Sequence, residues 1–92
     1  MECRVIEREA KVINSLGLHA RPAAQLVRLA SNFACEIHLV KDGVPVNGKS
    51  IMGVMMLAAE CGSTIGVRAD GSDEAAAMAA IVDLIATGFG ET

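Results

Sequence analysis

Two short runs hold the residues of this 92-residue chain that are best placed to do chemistry. The first is Gly17-Leu18-His19-Ala20-Arg21-Pro22-Ala23, between a weak strand pattern and the first clear helical pattern. A proline just inside a helix start is tolerated, because the first backbone N–H groups have no intrahelical acceptor. If His19 is the N-cap, the amides of the first turn point back toward its imidazole. Together with the positive end of the helix dipole and the guanidinium of Arg21, they form a small anion site. A nucleophilic nitrogen beside such a site is what a residue needs in order to carry a phosphoryl group. The plainer reading of His19 is a polar cap or a surface residue. The second run is Gly48-Lys49-Ser50-Ile51-Met52-Gly53-Val54-Met55. Here Ser50 caps a short helix, its hydroxyl accepting from a first-turn amide.

Ninety-two residues suit one domain, spanning 1–92. Hydrophobic residues make up 52% of the chain, but the only aromatics are Phe33 and Phe89, so aliphatic side chains and methionine must fill the core. A formal net charge of −3 argues against nucleic acid as the main partner. No apolar run approaches the roughly 20 residues of a membrane span, and Met1-Glu2-Cys3-Arg4 has no signal-peptide pattern, so a cytoplasmic protein without membrane insertion is expected. Cys3, Cys35 and Cys61 fit neither a disulfide framework nor a CxxC metal pattern, and His19 and His38 add little to one. Free thiols, no metal and no cofactor are the expectation.

These residues must be positioned by a small set of elements. Cys3 to Ile13 reads as a strand whose Glu7-Arg8-Glu9 suits a solvent-facing edge, and Asn14-Ser15-Leu16-Gly17 reads as a loop. A helix follows from about Ala20 to Asn32. Ala23, Leu26, Val27 and Ala30 share its core face, extended by Leu29 and Phe33, while Arg21, Gln25 and Arg28 share another that begins beside His19. Arg28 reads as a solvated helix arginine unless a partner docks there. Glu36-Ile37-His38-Leu39-Val40 alternates, Asp42-Gly43 signals a two-residue turn, and Val44-Pro45-Val46 resumes the alternation. Pro45 cannot donate to a ladder, which makes that arm an edge strand and leaves His38 facing outward.

The helix after Ser50, Ile51 to about Leu57, is apolar on nearly every side, although two turns at a surface bury only one face. A crowded core helix accounts for Ile51, Val54 and Leu57. Met52 and Met55 suit an adaptable exposed patch. Thr64 to Ala69 is the last strand, with Ile65, Val67 and Ala69 on one face. Asp70-Gly71-Ser72-Asp73-Glu74 supplies a turn, a cap and first-turn acids for a third helix that runs to about Thr87, with Met78, Ile81, Leu84 and Ile85 as its core stripe. Gly88 is placed to be its C′ residue, and Phe89-Gly90-Glu91-Thr92 is expected to be poorly ordered, although a terminal carboxylate could lie near His19. The order β-α-β-β-α-β-α describes a two-layer α/β sandwich with three helices on one face of a four-stranded sheet and the other face open to water.

The run GLHARPAAQLV resembles the phosphorylation-site signature of the HPr family, the histidine-containing phosphocarriers of the bacterial phosphoenolpyruvate-dependent sugar phosphotransferase system. Gly48 to Met55 resembles the family's regulatory serine region, in the version where that serine is a kinase target. The two runs stand in the family's order and spacing, and the similarity covers almost the whole chain. The resemblance implies an open-faced sandwich with an antiparallel sheet in the order 1-4-2-3. It also implies that Nδ1 of His19 takes the phosphoryl group from phosphorylated enzyme I and passes it to sugar-specific enzyme IIA domains. Arg21 and the Ala20 and Arg21 amides would balance the phosphoryl charge. Ser50 would be the target of an HPr kinase/phosphorylase where the host has one. Ala20, Arg28, Ile51, Met52 and Met55 would form the partner-docking face of a monomer. Two other readings stand beside this one: a nitrogen-type or regulatory paralogue acting mainly through protein binding, and a small interaction module that carries no phosphate. A self-sufficient enzyme is disfavoured, since one histidine and one arginine do not complete an active site.

Overall fold

A computed structural model of the protein describes residues 5–90. Alternation of apolar and polar residues builds four strands: β1 (Val5–Lys11), β2 (Glu36–Lys41), β3 (Val44–Asn47) and β4 (Thr64–Asp70). Helical spacing builds α1 (Ala20–Ala30), α2 (Ile51–Met56) and α3 (Glu74–Ala86), and a single 3-10 turn, Gly88–Gly90, closes the described chain. The sheet is antiparallel throughout, in the order β1-β4-β2-β3. The three helices pack on one of its faces. Among the described residues, no helix is long and apolar enough to cross a membrane, and no group of three or more His, Cys, Asp or Glu side chains is placed to hold a metal ion.

The central strand β4 pairs on both sides, in register Val67↔Arg8 with β1 and Val67↔Leu39 with β2. Its Ile65, Val67 and Ala69 point to the helical side and are fully buried, as are Ile37 and Leu39 from β2. Ala23, Leu26 and Ala30 of α1 meet them from above, joined by Val54 of α2 and by Ala77, Met78, Ile81 and Ile85 of α3. Each large aliphatic side chain removed from water in this way contributes roughly 1.5–3 kcal/mol, which lets a core with so few aromatics hold. Val27, Leu29 and Leu84 pack at its margin, half-buried.

The two edges are blunted in different ways. On β1 the exposed Glu7, Arg8, Glu9 and Lys11 surround the free edge with charge, and Arg68 donates from Nε to Glu7 Oε1 at 3.2 Å across the β1–β4 pair. On β3 the bond from Gly48 N–H to the Ile37 carbonyl (2.8 Å) sets the phase of the ladder. Counting back by twos, Pro45, opposite Val40, falls in a non-hydrogen-bonded pair, so the N–H it lacks would have pointed off the sheet. Both Asp42 (φ +53°) and Gly43 (φ +80°) are left-handed, as the tightest hairpin turn requires.

Two expectations are corrected and one is made specific. Ile51 is not in the core but 44% exposed, because α2 turns Val54 and Leu57 inward and leaves its other sides uncovered. Phe89 is buried rather than loose: it sits at φ +58° in the 3-10 turn, and the core gains one of the chain's two aromatic rings. Glu91 and Thr92, and with them the terminal carboxylate, lie outside the described residues, as does Cys3. Finally, Asp73 stands at the N-cap of α3 yet makes no side-chain cap bond to that helix. Glu74 Oε1 reaches back to accept from the Gly71 N–H instead, at 3.0 Å.

The Asp73 carboxylate does something the linear pattern does not reveal. Its two oxygens accept from the consecutive N–H groups of Ala34 (2.8 Å) and Cys35 (2.9 Å), so the start of α3 is tied to the entry of β2. These donors, the Ala34 N–H foremost, hold the Asp73 carboxyl below its ordinary value, whereas burial and the same carboxylate push the Cys35 thiol up. Cys35 is therefore a packing thiol. Since folding favours ionised Asp73, its contribution is complete above the unfolded-state value of about 3.9 and is lost as pH falls through the lower folded value. Asp73→Asn should lower the thermal midpoint at pH 7, and the gap to the parent protein should close steadily as unfolding is followed by circular dichroism below about pH 4.

Candidate functional site

The approach to His19 is held by short-range bonds rather than by bulk. Asn14, buried at 2% exposure, closes a turn with Gly17: the Gly17 N–H donates to the Asn14 carbonyl (3.0 Å), and Asn14 Nδ2 donates to the Gly17 carbonyl (2.7 Å). Gly17 is left-handed at φ +66°, and a Cβ there would run into the carbonyl of Ala59. That same carbonyl accepts from the Leu18 N–H at 2.9 Å, while the Leu18 side chain is buried. The loop that presents the histidine thus rests on the loop that follows α2, which turns out of the helix through Ala58 at φ +52°. A second pair of bonds, Val12 N–H to the Ser63 carbonyl (2.8 Å) and Gly62 N–H to the Val12 carbonyl (2.7 Å), fastens the two segments further back.

His19 is the N-cap of α1, with extended backbone (φ −78°, ψ −169°), and its carbonyl accepts from the Ala23 N–H at 3.0 Å. Its imidazole makes no side-chain cap bond to the helix. Pro22 is the third helical residue and brings no N–H, which leaves the amides of Ala20 and Arg21 without intrahelical acceptors at the helix start. There is no acidic residue in the first turn, and Arg28 stands in the last, so charge along α1 does not cancel the positive potential at its N-terminus. His19 is half-buried, while Ala20 and Arg21 are exposed. The helix begins at Ala20 even though the residue before a proline resists helical geometry, so packing of Ala23 and Leu26 outweighs that local preference.

Ser50 is held as firmly. Its Oγ accepts from the Gly53 N–H at 3.1 Å and its carbonyl from the Val54 N–H at 3.0 Å, as an N-cap requires. The preceding residues form a tight turn on Asn47, whose carbonyl accepts from the Ser50 N–H (3.1 Å) and whose Oδ1 accepts from the Lys49 N–H (2.8 Å). Lys49 Nζ donates to the Phe33 carbonyl at 2.7 Å, joining this turn to the end of the α1 segment. Gly48 must be small, since a Cβ there would meet Ile37 Cγ2 at 2.7 Å.

Beyond Ser50, α2 packs against α1 and exposes Met52 (71%), Met55 (40%) and Ile51 (44%). Met56 is the most exposed of the helix at 76%, and it was not singled out by spacing. With Leu57 it lines a groove of about 280 Å³ against Val44 and Val46 of the hairpin. Arg28 is exposed and borders a different groove, of about 480 Å³, with Gln25, Leu29 and Phe89. His38 stays on the open sheet face, half-buried, opposite Arg68 and Asn47. Asn14, Lys49 and Ala59, whose hydrogen bonds tie these loops together, were not singled out by the sequence reading. Only Asn14 carried a local signal, an asparagine three residues before a glycine, which favours a side-chain-closed turn.

Comparison with known proteins bears on these same residues. Residues 6–87 match the family described as PTS HPr component phosphorylation site. The phosphocarrier protein HPr of Cupriavidus necator is 51% identical over 87 residues, covering 95% of this chain and 98% of that protein. The HPr-like protein Crh of Halalkalibacterium halodurans is 47% identical over 81 residues, covering 88% and 96%. Among solved structures, HPr of Thermoanaerobacter tengcongensis superposes with a TM-score of 0.91 at 46% identity, covering 95% of this chain and 98% of that one.

Two substitutions test the scaffold. Gly17→Ala should cost about 2 kcal/mol or more in urea unfolding, from the left-handed backbone and the Ala59 carbonyl together. Ser50→Ala, which removes only the cap bond, should cost about 1 kcal/mol by the same measurement.

Proposed function

The chain belongs to the HPr family of phosphotransferase-system phosphocarriers, and from that premise we propose that His19 accepts a phosphoryl group from phosphorylated enzyme I and passes it to enzyme IIA domains that serve sugar uptake. The observation that carries this reading is the start of α1: a histidine at the N-cap, two amides without intrahelical acceptors beside it, an exposed arginine two residues on, and no acid in the first turn. This is a place where a dianion is welcome and where a partner can reach the ring.

Neutral imidazole supplies a lone pair near pH 7. In the transfer, Nδ1 forms a bond to phosphorus as the bond from phosphorus to the donor breaks, with the electron pair leaving on the donor. The reverse sequence delivers the group to the acceptor. The transition state is loose and spreads charge over three oxygens, so the carrier's part is to hold the ring in line and balance charge. Arg21 offers a planar fork for two of those oxygens and the Ala20 and Arg21 amides offer single donors. Because partners complete the active site, residues 1–92 function as one carrier domain, read here as a monomer working in the cytoplasm.

Ser50 is read as a regulatory site. A phosphate on its Oγ would sit at the N-terminus of α2, where the dipole tolerates it, and beside Ile51, Met52 and Met55. Those side chains, with Ala20 and Arg28, form the docking face in this reading, and a dianion at its edge would oppose burial of the methionines by a partner. The same face would serve a branch whose output is protein binding instead of uptake.

Phosphorus NMR after incubation with phosphoenolpyruvate and enzyme I tests the carrier role. An acid-labile phosphoramidate signal is expected on the parent chain and none on His19→Ala. Arg21→Lys should still be phosphorylated, about tenfold more slowly. No signal on the parent chain, with an enzyme I active on another carrier, would overturn the reading.

A further inference from the structure

We infer that Asn14 is a positioning residue for phosphoryl transfer at His19, acting through the peptide unit between Gly17 and Leu18. The inference rests on the reading of His19 as the phosphoryl acceptor. Both polar groups of that one peptide plane are pinned, and by different parts of the molecule. Its carbonyl accepts from Asn14 Nδ2 at 2.7 Å, and its N–H donates to the Ala59 carbonyl at 2.9 Å. The two anchors lie on opposite sides of a plane whose trans carbonyl and N–H point apart, so together they block its rotation.

The unit stands one residue before the histidine. A peptide plane turns by coupled changes in the dihedrals on either side of it, here ψ of Gly17 and φ of Leu18. Gly17, having no Cβ, would otherwise allow wide changes. The chain has therefore placed its most permissive residue type directly before the histidine loop and needs an external restraint to remove that freedom. Asn14 supplies it. The side chain is 2% exposed and so is shielded from bulk water, and an unmade bond there would leave a buried polar group unsatisfied. Downstream of the restraint, the buried Leu18 side chain and the bond from Ala23 N–H to the His19 carbonyl (3.0 Å) carry the fixed orientation to the imidazole. Transfer from a partner demands an in-line approach, and errors of about 1 Å in such geometry cost on the order of a hundredfold in rate.

Two variants separate positioning from mere support of the fold. Asn14→Ala removes the donor. Asn14→Asp keeps the shape and donates only while its carboxyl is protonated; burial raises that carboxyl's pKa and ionisation turns it against the Gly17 carbonyl. Phosphoryl acceptance from phosphorylated enzyme I is timed by rapid quench for each, from pH 5.5 to 8, at a temperature where circular dichroism shows all three proteins folded. The expected result is a loss of about tenfold or more for Asn14→Ala at every pH. Asn14→Asp should run near the parent rate at low pH and fall away from it as pH rises. Folded variants that match the parent rate, or an Asn14→Asp profile parallel to the parent's, would overturn the inference while leaving the His19 reading intact. Failure of the parent chain itself to accept a phosphoryl group would remove both.

Discussion

A four-stranded sheet with one dry face imposes the main constraint on this molecule. Ile65, Val67 and Ala69 of β4, flanked by Ile37 and Leu39 of β2, can leave water only under helices, and the chain is long enough to cover one side. All three helices are therefore crowded onto that face. α1 and α2 become neighbours, and the loops at their ends are forced together. The bond from Leu18 N–H to the Ala59 carbonyl is the direct result: the segment entering α1 rests on the segment leaving α2. Without a common sheet beneath them, the residues around His19 and those beyond Ser50 would have no fixed relation.

Within this frame, the site is built mostly from backbone. The start of α1 offers two amides without intrahelical acceptors, a helix dipole and the exposed Arg21, and the loop before His19 is held by hydrogen bonds to its backbone. Such a construction suits a protein that must surrender its cargo. A deep pocket with several cationic side chains would hold a phosphoryl group too well and would exclude a partner's own catalytic residues. In the proposed reading, a half-buried histidine at the start of α1 and exposed methionines on α2 leave room for another protein to complete the chemistry.

How far the sequence could be read varied with the range of the forces involved. The strands, the three helices and the hairpin turn were legible because alternation, helical spacing and the Asp42-Gly43 pair are local. Ser50 as a cap was legible for the same reason, and the observed bond to Gly53 follows the ordinary rule. Asp70 to Glu74 was legible as a run that supplies a cap and a first-turn acid, but the partners of the Asp73 carboxylate were not, because it had two ways to be satisfied. Close to its own helix it could have capped the first turn, but the fold brings the Ala34 and Cys35 amides to it from nearly forty residues away. Ile51 was placed in the core because six apolar residues cannot be assigned to faces until the orientation of so short a helix is known. Phe89 was taken as part of a loose tail, since three consecutive left-handed residues, Gly88 to Gly90, leave no periodic signal.

By itself, then, the amino-acid sequence determined the element order, the covered faces of the strands and of the two longer helices, the family to which the chain belongs, and the histidine and serine that stand at helix starts. Those properties depend on residue type and on separations of two to four positions, which the chain carries wherever it goes. The tertiary structure alone decided that Asn14 and Ala59 would hold opposite ends of one peptide, that Lys49 would close onto Phe33, and that Asp73 would serve a distant pair of amides. Each of these is a bond between groups whose meeting depends on how helices settle on the sheet. A hydrogen bond reaches about 3 Å, so such partners are settled only when the whole core has packed.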